Sequence, residues 1–192
     1  MNDAVEGEHV NVEFARLVRS RRSVNEFAAR QVDAALVESA IELACWAPNH
    51  RRTEPWRFYL IGDASRRVIA ELNAALVRVK QGKRAAEVKL RRWLAVPGWL
   101  VLTCQRHADA LREREDYAAC CSAAQNLMLA LWSAGIGTKW TTGAVTRDRE
   151  FFAALDLDPQ REFVVGLFWY GYPAAVADSQ RKPLAEVLTV KA

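Results

Sequence analysis

The residues of this 192-residue chain that could do chemistry fall into three short stretches. "RSRRS" (19–23) puts Arg21, Arg22 and Ser23 where a helical pattern ends. Two forked guanidinium donors and a hydroxyl are the groups that grip a phosphate. Cations at a helix C-terminus are also favourable for structural reasons alone, because the macrodipole is negative there. "APNHRRTEPW" (47–56) sets Asn49, His50, two arginines and Glu54 between two prolines, more polar groups than a short turn needs. "KWTTGA" (139–144) carries Trp140, Thr141, Thr142 and Gly143 out of a strand-like run. Glycine lets backbone approach a flat ligand, and threonine amides and hydroxyls suit a polar ring edge. Taken singly, a solvated loop accounts for the second stretch and a strand-to-helix turn for the third.

Other chemistries lack their residues. "GIGTKW" (135–140) begins like a dinucleotide fingerprint, but position 140 is Trp and a helical pattern precedes it. There is no Gly-x-Ser-x-Gly elbow and no P-loop. His9, His50 and His107 are far apart, and Cys45, Cys104, Cys120 and Cys121 form no Cys-x-x-Cys pair, so no metal site is expected. Three of the cysteines sit in apolar runs as small hydrophobes. With the absence of a basic, then apolar leader in "MNDAVEGEHV", this predicts a reducing cytoplasm.

Charge narrows the ligand. The net +4 is concentrated in residues 1–92, where 17 Lys/Arg face 12 Asp/Glu, leaving −1 for the remainder. That asymmetry suits an anionic small molecule near the N-terminal half and is too mild to argue for nucleic acid. Residues 117–138 carry no charge and are long enough to span a bilayer. Ser122, Gln125, Asn126 and Ser133, followed by Gly135 and Gly137, instead predict a helix buried in a core or a subunit interface.

The elements that must position these groups follow from periodicity. Helices are predicted over 10–20, 33–46, 64–93 with a break near Gly82, 116–133, and from an N-cap at Thr146 to Leu155. The second should bury Leu36, Val37, Ala40, Ile41 and Leu43, and the third Val68, Ile69, Leu72 and Leu76. Strands are predicted over 56–61, 98–104, 137–143 and 162–173. Residues 1–173 read as a single domain and 174–192 as an arm without a core face. The strands are too few for a doubly wound sheet, so an α+β sandwich with helices flanking a small mixed, mainly antiparallel sheet is expected.

In order, "RRSVNEF" (21–27), "APNHRRTEPWRF" (47–58), "REDYAACCSAAQNLMLALWSAGIGTKWTTGAV" (114–145), "FVVGLFWYGYP" (163–173) and "RKPLAEVL" (181–188) resemble the nitroreductase family of flavoproteins. His50 after Ala-Pro-Asn resembles its small members. The resemblance implies an intertwined homodimer with two FMN sites at the subunit interface. It also implies hydride transfer from NADH or NADPH through flavin N5 to a nitroaromatic, quinone or similar acceptor, by a ping-pong mechanism. Carried over by residue, it gives Arg21, Arg22 and Ser23 to the FMN phosphate and ribityl chain, and Asn49 and His50 to the flavin held mainly by the other subunit. Trp140, Thr141, Thr142 and Gly143 would border the ring, with an amide near Thr142 facing N5. Arg181 would reach the phosphate from the arm, which packs on the partner, with Lys182 as the alternative. Asn25 stands where an arginine is common, and Arg51 and Arg52 where an asparagine is common. Within 64–93, Lys80, Lys83, Arg84 and Lys89 are all open as contacts to the flavin edge. No metal, membrane or nucleic acid is implied. The alternatives are an FMN reservoir or sensor without nicotinamide turnover, and a basic nucleic-acid binder using the arginines of 16–92.

Overall fold

The computed structural model describes residues 10–191. His9 and the N-terminal segment read for a leader, up to that residue, therefore lie outside the described residues. Four strands are built where aromatic and β-branched residues cluster. They are β1 (Trp56–Leu60), β2 (Gly98–Gln105), β3 (Gly137–Thr141) and β4 (Glu162–Gly171), in the order β1-β2-β4-β3. Every strand pair is antiparallel, and parallel pairing is confined to one bridge between Ser23 and Thr138. β2 is central and buried along its length except at Gln105, as its continuous apolar run requires. The β2–β4 register slips between Leu102 and Thr103, so that Val165 has no partner opposite it.

Helices cover both faces of the sheet. α2 (Ala34–Ala44) and α5 (Ala110–Ser133) pack Val37, Ala40, Ala123, Leu127 and Leu131 against Leu100, Leu102 and Phe168. α3 (Asp63–Gln81), α4 (Lys83–Leu94) and α6 (Arg149–Ala154) close the other face around Ile69, Trp93, Trp99, Phe151 and Trp169. Gly82, at φ 86, separates α3 from α4 where the sequence predicts a break. α5 starts six residues before the predicted Asp116, because Asp109 caps it by accepting from the amides of Leu111 and Arg112. The last helix is likewise capped by Asp148 and not by Thr146. Thr146 is buried and donates its hydroxyl to the carbonyl of Gly143 at 2.9 Å.

Some predicted apolar positions face outward. On α2, Leu36 and Leu43 are exposed while Ala44 takes the buried position, and on α3 Val68 is exposed and Ala70 and Ala74 are buried. α1 (Val12–Ser20) buries none of its residues, and Phe14 is 54% exposed. Trp46 is 79% exposed, and Leu184, Val187, Leu188 and Val190 of the arm are exposed as well. Among the described residues no helix is long and apolar enough to cross a membrane.

Candidate functional site

Arg21 follows α1, and its backbone amide still donates to the carbonyl of Leu17. Burial first, then the charges of Arg181 and Arg22, holds its guanidinium below the ordinary arginine value. Mutual repulsion of this kind means that Arg181, from the far end of the chain, shares the neighbourhood of Arg21. Neither has a carboxylate within ion-pair distance among the described residues. Lys182, the alternative in the arm, instead faces Glu186 at 3.6 Å. Arg22 turns back on the helix and donates to the carbonyls of Arg19 at 2.6 Å and Arg21 at 3.0 Å. The structural explanation of the arginine pair thus holds for Arg22, which satisfies orphan carbonyls, and leaves Arg21 without one. Arg181 donates to the carbonyl of Gln180 and the hydroxyl of Ser179 within its own arm.

Ser23 links this cluster to the sheet. Its parallel bridge to Thr138, with Val24 N donating to Thr138 O at 2.9 Å, lays the arginine segment along the outer edge of β3. One residue on, Lys139 donates to Asn25 Oδ1 at 2.7 Å and lies 5.2 Å from the Trp169 ring centre. Burial, then Arg92, then Lys89, holds the Lys139 ammonium below the usual lysine range. Arg92 also donates to the Asn25 carbonyl at 3.4 Å. A second cationic cluster, Lys139 of β3 with Lys89 and Arg92 of α4, thus gathers around Asn25, without a carboxylate within ion-pair distance among the described residues.

The Thr-Thr-Gly stretch leaves β3 at Thr141, opposite Leu167. Gly143 O accepts from both the amide and the hydroxyl of Thr146, which pins the turn. Thr142 and Gly143 are exposed, and the Thr142 amide meets no protein acceptor among the described residues. Trp140 lies against Phe168, ring centres 5.2 Å apart, and donates its indole N–H to the carbonyl of Val165 at 3.1 Å. It occupies the space over Gly166, where an added β-carbon would collide with the indole.

Asn49 and His50 are placed elsewhere. Their loop precedes β1, and β2 and β4 separate β1 from β3. The loop is tied to Asp116 of α5 and α1 to Trp132 of the same helix, sixteen residues apart and so about 24 Å along the axis. Arg51, Arg52 and Glu54 have φ of 61°, 51° and 44°, left-handed values that cost a non-glycine residue about 1–2 kcal/mol each. Asn49 holds them in place: its Oδ1 accepts from Glu54 N at 2.7 Å and its amide donates to Thr53 at 3.0 Å. The Thr53 hydroxyl in turn donates to the buried Asp116 carboxylate. The Asn49 side chain is thus committed within the loop, while His50 is exposed.

The sequence profile of the Nitroreductase family matches residues 18–172. The chain belongs to this family. Among relatives of this nitroreductase-family chain, Bacillus subtilis YfhC, provisionally named an NAD(P)H nitroreductase, is 32% identical over 178 residues, 90% of this chain and 91% of YfhC. A nitroreductase-like protein of Bacillus cereus superposes with a TM-score of 0.83 at 28% identity, covering 96% of this chain and 99% of its own. A provisionally named nitroreductase of Desulfovibrio desulfuricans, solved in complex with FMN, superposes at 0.77 with 26% identity, covering 95% and 99%.

Sequence reasoning missed Lys139 and Arg92, kept Lys89 only as one candidate among several, and passed over Asp116. Lys139 had a signal, since it is the one charge in its strand and alternates with Trp140 across the sheet. Asp116 is the last of three acids, after Glu113 and Glu115, and stands at the start of an apolar run. The other motif residues do less. His107 accepts from Asp109 N at 2.9 Å in a helix-capping turn. Cys104 beside it, then burial, pushes the Cys120 thiol up and leaves it protonated.

Proposed function

We propose that the chain is an FMN-dependent NAD(P)H oxidoreductase that reduces electron-poor acceptors such as nitroaromatics or quinones, by a ping-pong mechanism, in a cytoplasmic homodimer. The observation that carries this reading is the half-buried Arg21, which feels the charge of Arg181 and has no carboxylate within ion-pair distance among the described residues. A dianionic phosphate supplies the missing charge, and the FMN complex of a relative supports that ligand. Bound FMN would supply the hydride-transfer chemistry between NAD(P)H and the acceptor.

The chain's own residues then divide the work. Arg21 and Arg181, with Arg22 and Ser23 behind them, hold the phosphate and ribityl chain. Trp140, Thr141, Thr142 and Gly143 border the ring, and the unpaired Thr142 amide donates to its polar edge. Lys139, Arg92 and Lys89 supply positive potential where negative charge develops during reduction. His50 comes from the second protomer on the loop that Asn49 holds in shape, a role supported by the distance of that loop from Arg21 within one chain. The uncovered α1, Trp46 and the apolar arm are surfaces for that second copy. Four unpaired thiols agree with a reducing compartment.

The test is anaerobic. Protein loaded with FMN should be yellow, NADH or NADPH should bleach it, and p-benzoquinone should restore the colour. A colourless protein that takes up no added FMN overturns the proposal. A yellow protein that neither nicotinamide reduces supports the reservoir or sensor reading instead.

A further inference from the structure

The loop before β1 keeps two cations that the cofactor site does not use. Arg51 and Arg52 are exposed and neither has a carboxylate within ion-pair distance among the described residues, although Glu54 belongs to the same loop. Arg51 Nε donates to His50 Nε2 at 3.2 Å. Among the described residues neither Nη group of Arg51 nor any part of the Arg52 fork has a hydrogen-bond partner.

A solvated turn needs none of this. Consecutive left-handed arginines are held in place by Asn49 and Thr53, and through Thr53 by a carboxylate buried in the core. That is how a preformed binding element is built: its conformational cost is met on folding, before a ligand arrives. From this geometry we infer that His50, Arg51 and Arg52 form an anion fork that selects substrates carrying an anionic group beside the reacting ring. The inference rests on the flavin reading above, which puts this loop next to the partner protomer's ring. Paired anionic oxygens that accept a guanidinium fork are the shared chemistry, and they have two sources, a carboxylate on the acceptor or the 2′-phosphate of NADPH.

Matched substrates separate the sources. For the acceptor, kcat/KM for 4-nitrobenzoate is divided by that for its methyl ester, which removes the charge and keeps the nitroaromatic ring. For the nicotinamide, the corresponding ratio is NADPH to NADH. The variant Arg51→Gln/Arg52→Gln is expected to lower one of the ratios roughly tenfold. Arg51→Lys/Arg52→Lys, which keeps charge without the fork, should recover part of it. Arg78→Gln, an exposed arginine on α3, controls for net charge and should leave both ratios as they are. A fall in the acceptor ratio names the carboxylate, and a fall in the nicotinamide ratio names the phosphate. Flavin content and bleaching are followed in every variant. A double variant that binds flavin and turns over with both ratios unaltered overturns this inference alone. A wild-type chain that takes up no flavin overturns it together with the reading beneath it.

Discussion

Arg21 and Arg22 are neighbours in sequence with different environments, and the difference can be measured. Arg21→Ala should weaken FMN binding about 10- to 100-fold, the worth of one or two charge-assisted hydrogen bonds, while riboflavin, which lacks the phosphate, changes little. Flavin fluorescence quenching reads both affinities, and an equal loss for the two ligands would remove Arg21 from the phosphate. Arg22→Ala should instead cost about 1 kcal/mol of stability, because it removes the donor from the end of α1. The sequence made the arginine pair visible but could not divide the roles. Arg22 folds back on the helix while Arg21 meets the charge of Arg181, which comes from the far end of the chain and which no local spacing announces. Lys139 was hidden for a related reason: its partners Asn25, Lys89 and Arg92 come from two other segments, and no local spacing announces them.

At the scale of elements, periodicity and turn chemistry were enough. Gly82 divides α3 from α4, and Pro48 and Pro55 bracket the loop before β1. Errors arose where a hydroxyl or an apolar residue had two possible uses. Thr146 resembles an N-cap, yet Asp148 offers the stronger acceptor and frees Thr146 to lock the Gly143 turn from within. The exposed Leu36, Leu43 and Val68 have helical spacing and no neighbour within the protomer to bury them. The β3–β4 pair carries the tightest fit near the site, Trp140 over Gly166. Gly166→Ala should therefore cost about 1–3 kcal/mol through overpacking, measured by urea unfolding. Unchanged stability would show that the indole can move aside, and that Trp140 is not a fixed wall of the site.

The whole molecule leaves surface unfinished. α1, Trp46 and the arm expose apolar side chains outside a well-packed sandwich. On the homodimer reading, ending the chain after Pro173 removes the arm, and with it Arg181. The expected result is a shift toward monomer in analytical ultracentrifugation, together with loss of bound flavin. A truncated chain that stays dimeric and yellow would sink the role given to the arm. One consequence concerns biosynthesis. α1 is translated before every other described element, yet nine residues with no buried side chain cannot sustain a helix alone. Order of synthesis and order of consolidation run in opposite directions. On the homodimer reading, a newly made chain settles its core first and its earliest helix last, once it meets a second copy. On that reading maturation is second order in nascent chain, and a cell that makes little of this protein completes it slowly.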